Sequence, residues 1–369
     1  MMATSYSKNG WTLVKFDLNY HAAHYAPEFP RLADVWLSSL RQLSPCLQTL
    51  TTHLKYYSPP TPSESKMPWD IIKFNDGNQI PGIGFGTWKI PVGDTTVDQV
   101  DQAISVGFNH IDTAQAYRNE EEAGKAIHES GLKRDEIFIT TKYSGLNGLD
   151  IETSIKNSLK NLGVQYIDLY LIHHPRLAVP DIPTAWRQME GLKNAGLVKS
   201  IGISNFEIEH VDTLLASAKI VPAVNQIILH PYAYKRQAPL LEYLNEKGIV
   251  YEAYSPLIPV TQFPGGPVDK PVKAAAKRLN ATDDQILLAW AKAKGAVVLT
   301  SSSKKYRLEG YLEAGDLVLT DDEIKAIDDA GAKGTRIFTA RTIVRRTAAV
   351  LFAGAIALGV CSYLGIDVV

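Results

Sequence analysis

Short apolar runs alternate with longer amphipathic stretches through the middle of the chain. The longer stretches, such as TVDQVDQAISVG and DIETSIKNSLKNLG, repeat apolar residues at helical spacing. Asp or Thr near their starts and Gly at their ends are typical of capped helices. Eight strands, each followed by a helix, predict an α/β protein with a (β/α)8 TIM barrel. The predicted strands are 82–87, 109–113, 137–141, 167–172, 199–203, 223–228, 249–254 and 296–300.

A β-hairpin is predicted just before the first barrel strand. The runs IIKF and QIPGIGF flank Asn75–Asn78, whose sequence NDGN is turn chemistry. The competing fold is a doubly wound Rossmann sheet, which would carry G-x-G-x-x-G between its first strand and first helix. Here GIGFGTW continues with bulky residues, and no helix begins there. The glycines therefore indicate close approach of the backbone, and the barrel with a hairpin cap is the preferred fold.

The first 66 residues show neither the alternation of strands and helices nor the hairpin signal. They end in YYSPPTPSESK, a Pro- and Ser-rich composition that is typical of linkers. No continuous apolar run follows a basic start, so the sequence predicts no secretory signal. We expect residues 1–66 to be a poorly structured extension before a barrel that spans residues 67–331.

A second departure from the barrel pattern lies at the other end of the chain. Residues 347–366, TAAVLFAGAIALGVCSYLGI, contain no charged side chain. As a helix this stretch would be about 30 Å long, which is the thickness of a bilayer core. It follows a basic linker, 332–346, that would keep the barrel on the cytosolic side. The sequence predicts a C-terminal transmembrane helix that anchors the protein to an intracellular membrane. The alternative is an apolar helix docked on the barrel or in a dimer interface.

Charge and cysteine content exclude several classes of function. The chain has 369 residues with 38 basic and 39 acidic side chains, so its net charge is −1. This balance argues against nucleic acid as a partner. The two cysteines, Cys46 and Cys361, lie outside the barrel region and cannot build a disulfide framework or a cysteine zinc site. No metal is predicted, and the cytosol is the simplest location for the catalytic part.

Three successive predicted strands lead to side chains that together could protonate a carbonyl oxygen. They are Asp112 and Tyr117 in HIDTAQAY, Lys142 in IFITTK and His173 in YIDLYLIH. Barrel enzymes carry their chemistry at these strand ends. A free tyrosine has a pKa of about 10, and a nearby lysine ammonium lowers it. A buried lysine needs a counter-charge, which Asp112 can supply, and a histidine can orient the carbonyl by a hydrogen bond.

The motifs around these residues strongly resemble those of the aldo-keto reductases. They are GFNHIDTAQAYRNEEEAG, LYLIHHP, SIGISNF and AVNQIILHPY, and the resemblance extends from Met67 to Gly331. It implies reduction of aldehydes or ketones by hydride transfer from a nicotinamide. Tyr117 would then be the proton donor, with Lys142 and Asp112 lowering its pKa and His173 positioning the carbonyl oxygen. The alternative is a regulatory NADPH-binding subunit, resembling the potassium-channel β-subunits that share this barrel.

The resemblance also implies a cofactor groove that ends at the loop after the last strand. Serines occupy the family's usual lysine position in that loop, and cations follow them. A serine-rich loop at a helix N-terminus still binds phosphate through N–H groups and hydroxyls. NADPH is therefore the expected cofactor, and NADH is possible. From the nicotinamide end to the adenosine end, the implied residues are Gly86, Thr87, Trp88, Ser204, Asn205, Gln226, Tyr254 as the stacking aromatic, Ser255, Leu257, Ser302, Ser303, Lys304 and Arg307.

Substrate contacts are implied for Trp88, His173 and His174. Strand alternation predicts that His173 points into the barrel mouth and His174 away from it. The family usually has a tryptophan at the position of His174, so a more polar pocket is expected. The loops 175–182 and 258–272 would set specificity, and the shortness of the first indicates an open site for varied carbonyls. The sequence specifies neither the substrate nor the oligomeric state.

Overall fold

The computed structural model describes residues 5–8, 11–14, 68–336 and 338–340. The chain divides into two compact units, Met1–Ser65 and Lys66–Val369. In the first unit, strand β1 (Ser5–Lys8) pairs antiparallel with strand β2 (Trp11–Val14). The predicted tail helix, 347–366, lies outside the described residues. Among those described, no helix combines the length and the apolar character needed to cross a bilayer.

A hairpin covers the N-terminal end of the barrel, as the turn sequence predicts. Strand β3 (Ile71–Lys73) pairs antiparallel with β4 (Gln79–Pro81). The side chains of Phe74 and Ile80 are buried against apolar residues that point into the bottom of the barrel, namely Leu169, Leu171, Ala223, Val224 and Val297. Burial of this patch holds the hairpin on the barrel and fills that end with side chains.

Eight parallel strands form a closed barrel, which confirms the predicted architecture. Their spatial order is β10-β11-β12-β5-β6-β7-β8-β9, so the last strand pairs with the first and leaves no edge. The strand ends differ by no more than two residues from those predicted. The strands are β5 (Ile83–Gly86), β6 (His110–Asp112), β7 (Phe138–Tyr143), β8 (Ile167–Ile172), β9 (Val198–Ser204), β10 (Val224–Ile228), β11 (Val250–Tyr254) and β12 (Val297–Thr300).

Helices follow every barrel strand and pack on its outer surface. Local capping fixes several of them: the Asp150 side chain accepts from Thr153 N at 2.7 Å at one start, and Gly163 adopts a left-handed conformation at that helix's end. The helices are α1 (Asp94–Val106), α2 (Glu120–Glu129), α3 (Ile151–Leu162), α4 (Ile182–Asn194), α5 (Ile208–Leu215), α6 (Pro231–Glu246), α7 (Ile258–Gln262), α8 (Asp269–Leu279), α9 (Asp283–Ala293) and α10 (Lys305–Glu313).

A further helical segment begins at residue 321 and runs through 336, beyond Gly331 where the barrel was expected to end. Gly331 packs so closely on α6 that an added Cβ would lie 2.2 Å from the Pro231 carbonyl oxygen. Farther along, Phe338 stacks on Tyr232 with ring centroids 5.3 Å apart. These contacts fix the segment on the barrel next to α6.

Strand alternation divides the barrel side chains as the sequence predicts. Along β8, Tyr170 and Ile172 belong to the large core between strands and helices, whereas Leu169 and Leu171 fill the barrel interior. His173 continues the interior series one residue beyond the strand. The same alternation brings polar side chains from other strands to the C-terminal mouth, directly above an apolar bottom layer.

Candidate active site

A cavity of about 730 Å³ opens at the C-terminal mouth of the barrel. Asp112 is the last residue of β6, and Tyr117 ends a single 3-10 turn just after it. Lys142 lies in β7, and His173 follows β8. The predicted site residues that line the cavity are Gly86, Trp88, Asp112, Tyr117, His173, Ser204, Asn205, Gln226, Tyr254, Ser255, Leu257, Ser302 and Ser303.

Lys142 and Asp112 form a buried ion pair beneath the cavity. Lys142 Nζ donates to both oxygens of the Asp112 carboxylate, at 2.7 and 2.8 Å, and to the Thr113 carbonyl oxygen at 2.8 Å. The Lys142 side chain is inaccessible to solvent. Burial lowers the pKa of Lys142, but Asp112 and Tyr117 together raise it above its usual value. The lysine therefore remains charged, and its ammonium group is surrounded by acceptor oxygens.

Tyr117 lies over this pair at the cavity wall. The ammonium nitrogen of Lys142 is 5.2 Å from the centre of the phenol ring. Burial raises the pKa of Tyr117, and Lys142 opposes that effect without reversing it. The net direction is opposite to the sequence expectation, because that argument included the lysine and omitted the loss of solvent around the hydroxyl. Tyr117 is thus a neutral phenol with a proton to give.

His173 is held beside Tyr117 in a neutral state. The two rings meet edge to face, with centroids 5.6 Å apart. Burial, and then the charge of Lys142, lower the pKa of His173 to about 3. Its Nδ1 lies 3.0 Å from the hydroxyl oxygen of Ser144, a residue that sequence reasoning did not select.

His174 behaves differently from its neighbour. Its side chain is partly exposed and does not contribute to the cavity lining. Nδ1 of His174 accepts a hydrogen bond from Arg176 N at 3.2 Å, which turns the ring toward the loop after β8. The structure therefore brings His173, and not His174, next to the buried ion pair.

Hydrogen bonds among polar side chains build the inner wall where a nicotinamide is expected. Ser204 Oγ donates to the Gln226 carbonyl oxygen at 2.9 Å, and Asn205 Nδ2 donates to the His173 carbonyl oxygen at 3.0 Å. The Tyr254 hydroxyl donates to Asn205 Oδ1 at 2.8 Å. Asn205 and Ser255 have φ of 62° and 59°, a region that side chains other than glycine seldom adopt. Strained backbone of this kind is concentrated at functional sites.

A buried glutamate behind the cavity, Glu252, is a second residue that the sequence reasoning missed. Gln226 Nε2 donates to Asp112 Oδ2 at 2.9 Å and to Glu252 Oε2 at 2.6 Å. Burial, and then the nearby Asp112 charge, raise the pKa of Glu252 to about 8. His110 Nε2 is 3.7 Å from Glu252, but burial lowers the pKa of His110 to about 3, so this contact is not an ion pair. A charged residue in the apolar run VYEAY was the available signal.

These contacts leave Gln226 suited to a carboxamide ligand. Because Asp112 is the ionised partner of Lys142, the Gln226 atom beside it must be the nitrogen. Both hydrogens of that nitrogen point to carboxyl oxygens, one of Asp112 and one of Glu252, so Oε1 is the atom left to accept from a molecule in the cavity. The phenol of Tyr254 and the hydroxyl of Ser204 line the same region. A nicotinamide carboxamide, which carries both a donor and an acceptor, fits this set.

The remaining predicted cofactor residues are placed at varying distances from the cavity. Trp88 stands at the rim with 51% of its surface exposed. Thr87 is buried behind the wall, where its Oγ1 lies 3.0 Å from Asn119 Oδ1. Lys304 and Arg307 are exposed at the start of α10 and do not line the cavity. Lys304 N donates to Ser302 Oγ at 3.1 Å, which shapes the serine loop that does line it.

Comparison with known proteins agrees with the fold. Residues 82–259 match the model of the aldo/keto reductase family. An NAD/NADP-dependent indole-3-acetaldehyde reductase of Schizosaccharomyces pombe is 38% identical, over 70% of this chain and 94% of that protein. A methylglyoxal reductase of Yersinia pestis is 36% identical, over 70% of this chain and 91% of its own length.

A solved structure has the same architecture. The crystal structure of an aldo/keto reductase from Brucella melitensis superposes with a TM-score of 0.64 and 35% sequence identity. The match covers 71% of this chain and 99% of the other. The chain belongs to the aldo/keto reductase family and is an enzyme of that class.

Proposed function

We propose that the protein reduces aldehydes and ketones to alcohols with NADPH. The observation that carries the proposal is the meeting of Tyr117, His173 and the Lys142–Asp112 ion pair at one cavity. Two similar proteins are named for aldehyde reduction, of indole-3-acetaldehyde and of methylglyoxal. An aldehyde is therefore the first substrate class to test.

The side chains divide the reaction between them. The nicotinamide supplies the hydride to the carbonyl carbon when the cofactor is bound. Tyr117 donates its phenolic proton to the carbonyl oxygen, and the adjacent Lys142 ammonium stabilises the phenolate that remains. Asp112 keeps that ammonium in place and balances its charge. His173 donates a hydrogen bond to the carbonyl oxygen and holds it toward Tyr117.

The cavity wall orients the cofactor in this proposal. Ser204, Asn205 and Gln226 would hold the carboxamide of the nicotinamide, and Tyr254 would cover the face of the ring. The serine loop and the positive groups Lys304 and Arg307 would receive the phosphates, including the 2′-phosphate that distinguishes NADPH from NADH. Trp88 at the rim would contact the substrate.

Replacement of Tyr117 tests the central assignment. Tyr117→Phe removes the proton donor and keeps the ring, so kcat should fall by roughly 10²-fold or more, the scale of general acid catalysis. NADPH oxidation with a panel of aldehydes, ketones, α-keto esters and sugars gives kcat, and fluorescence titration gives NADPH affinity, which should hardly change.

Tyr166→Phe is the matched control, because Tyr166 precedes β8 at the opposite end of the barrel and should leave turnover unaltered. Near-normal turnover in Tyr117→Phe would contradict the assignment. Tight NADPH binding by the unaltered protein with turnover of no carbonyl would instead favour the regulatory alternative.

We further propose that residues 347–366 anchor the protein to an intracellular membrane, with the barrel in the cytosol. The support is the sequence alone: 20 consecutive uncharged positions behind Arg341, Arg345 and Arg346.

A further inference from the structure

Ser144 lies just beyond the end of β7, behind His173 rather than in the cavity. It is half-buried and does not line the cavity. Its hydroxyl oxygen is 3.0 Å from His173 Nδ1, 3.4 Å from the Lys142 carbonyl oxygen and 3.3 Å from Ala116 N. Ser144 can therefore affect a bound substrate only indirectly, and His173 Nδ1 is the nearest of its three contacts.

The Ser144 hydroxyl has a single hydrogen, and where that hydrogen goes determines whether Ser144 or His173 is the donor in their hydrogen bond. Ala116 N is a donor, so the Ser144 oxygen accepts from it. The single hydroxyl hydrogen then has two possible acceptors, the Lys142 carbonyl oxygen at 3.4 Å and His173 Nδ1 at 3.0 Å. The shorter distance is well inside the normal range and the longer one is at its limit. The Ser144 hydroxyl consequently donates to His173 Nδ1.

This donation fixes the position of the ring proton on His173. A neutral imidazole carries one N–H, on Nδ1 or on Nε2. When Nδ1 accepts from Ser144, the hydrogen must be on Nε2. His173 lines the cavity, and Nε2 is the ring nitrogen that Ser144 leaves available to a bound carbonyl. In the other tautomer, the Nε2 lone pair would face the lone pairs of the carbonyl oxygen, with no hydrogen bond between them.

We propose that Ser144 is a positioning residue that selects the Nε2–H tautomer of His173, so that this ring donates a hydrogen bond to the substrate carbonyl. The inference rests on the proposed reductase function. It predicts that loss of the hydroxyl weakens the transition state, where negative charge on the oxygen is greatest, more than it weakens substrate binding.

The test compares Ser144→Ala with Ser144→Thr, which restores the hydroxyl. The full chain is labelled with ring-¹⁵N histidine, and the His173 signals are assigned by their loss in His173→Asn. The unaltered protein and Ser144→Thr should show the Nε2–H pattern of ¹⁵N shifts, and Ser144→Ala should show a mixture or the Nδ1–H pattern. With a good aldehyde substrate, kcat of Ser144→Ala should fall about tenfold, the scale of one hydrogen bond, with KM changed less. Ser144→Thr should recover most of the loss.

Ser105→Ala serves as the control, since Ser105 is exposed on helix α1 and its Oγ donates to the Gln102 carbonyl oxygen. It should change neither the histidine signals nor kcat. The Nδ1–H pattern in the unaltered protein, or an unchanged pattern in Ser144→Ala, would overturn the proposal. So would a loss of kcat that the hydroxyl of Ser144→Thr does not restore. If the unaltered protein turned over no carbonyl, the reductase proposal would fail, while the ¹⁵N pattern would still report the action of Ser144 on His173.

Discussion

At the scale of single residues, burial and pairing together set the charge of the groups around the cavity. Lys142 stays charged because Asp112 accompanies it, whereas burial, and then the charge of Lys142, lower the pKa of His173 and keep it neutral. Glu252 is the third case. Burial, and then the like charge of Asp112, raise its pKa more than the hydrogen bond from neutral Gln226 and the charge of Lys142 lower it. The carboxyl group therefore keeps its proton to an unusually high pH.

Glu252 should make the stability of the protein fall as the pH rises. Its pKa is about 8 in the folded protein, against an ordinary value of 4.5. The unfolded chain releases this proton first, so the contribution is intact below pH 4.5 and is lost as the pH rises toward 8. Glu252→Gln cannot ionise, and its amide oxygen can still accept from Gln226. We expect urea unfolding at pH 5, 6.5 and 8.5 to show that the free energy of unfolding of the variant, relative to that of the unaltered protein, increases at each higher pH.

Buried histidines have the opposite effect on the pH dependence of stability. Both proteins contain them, so their effect cancels in the difference between the variant and the unaltered protein. Burial lowers the pKa of His110 and of His173 to about 3, and that of His230 to about 4. Unfolding lets each bind a proton below its ordinary pKa of about 6.5, so both proteins lose stability as the pH falls below that value. A stability difference between variant and unaltered protein that stays constant across the range would refute the role given to Glu252.

Sequence reasoning selected residues whose chemistry is specified by their type, and it missed effects that depend on burial in the fold. Tyr117, Lys142, Asp112 and His173 were selected by their order along the strands. In the structure Tyr117, Asp112 and His173 line one cavity, and Lys142 is paired with Asp112 beneath it. The raised pKa of Tyr117 could not be predicted, because it depends on how much solvent the folded barrel removes. Ser144 and Glu252 escaped notice for a similar reason, since each acts through a neighbour that only the fold supplies.

At the scale of elements, the eight strands were predictable and one connection was not. The strands combine apolar character with turn residues on both sides, which is a local signal. The loop expected at 258–272 instead contains α7 and the start of α8. Pro259, together with the PGGP sequence at 264–267, is typical of loops. Pro259 is nevertheless tolerated because it falls in the first turn of α7, where no backbone hydrogen bond is lost.

Two cations at the start of helix α10 are expected to set the preference for NADPH over NADH. Lys304 and Arg307 lie at its start, exposed and next to the serine loop that lines the cavity. Replacing both with Ala should raise KM for NADPH by roughly tenfold, in line with the loss of charge-assisted hydrogen bonds to a phosphate. KM for NADH, which lacks that phosphate, should change little. Initial rates with both cofactors at fixed aldehyde give the comparison.

Lys305→Ala is the control on the same helix, because it removes an equally exposed cation from a position given no role. Its KM values should match those of the unaltered protein. Equal weakening of both cofactors in the double variant, or of neither, would place the 2′-phosphate site elsewhere.

At the scale of the whole molecule, the barrel is tied together from its first described residues to its last helices. Trp69 Nε1 donates to the carbonyl oxygens of Tyr311 and Leu312, each at 3.0 Å, so the segment before the hairpin is fixed to α10. Every group assigned to catalysis lies between residues 82 and 307. We therefore expect location and chemistry to be separable.

Removal of the tail should change where the protein is found and not what it does. A chain ending at Arg346 should remain in the soluble fraction with unchanged kcat. The full chain should sediment with membranes and resist carbonate extraction, because about 20 apolar residues in lipid bind far more strongly than a surface helix. Recovery of the full chain in the soluble fraction without detergent would reject the anchor and favour a docked helix.

The closed bottom of the barrel limits how cofactor and substrate can enter and leave the site. The hairpin, with Phe74 and Ile80, fills one end of the barrel, and the cavity opens at the other. Cofactor and carbonyl must share that one opening, and the groups proposed for the nicotinamide form the inner wall. We therefore expect the cofactor to enter before the carbonyl, and the alcohol to leave before the oxidised cofactor. In that case a carbonyl that binds before the oxidised cofactor has left would block its release, so high carbonyl concentrations should inhibit turnover.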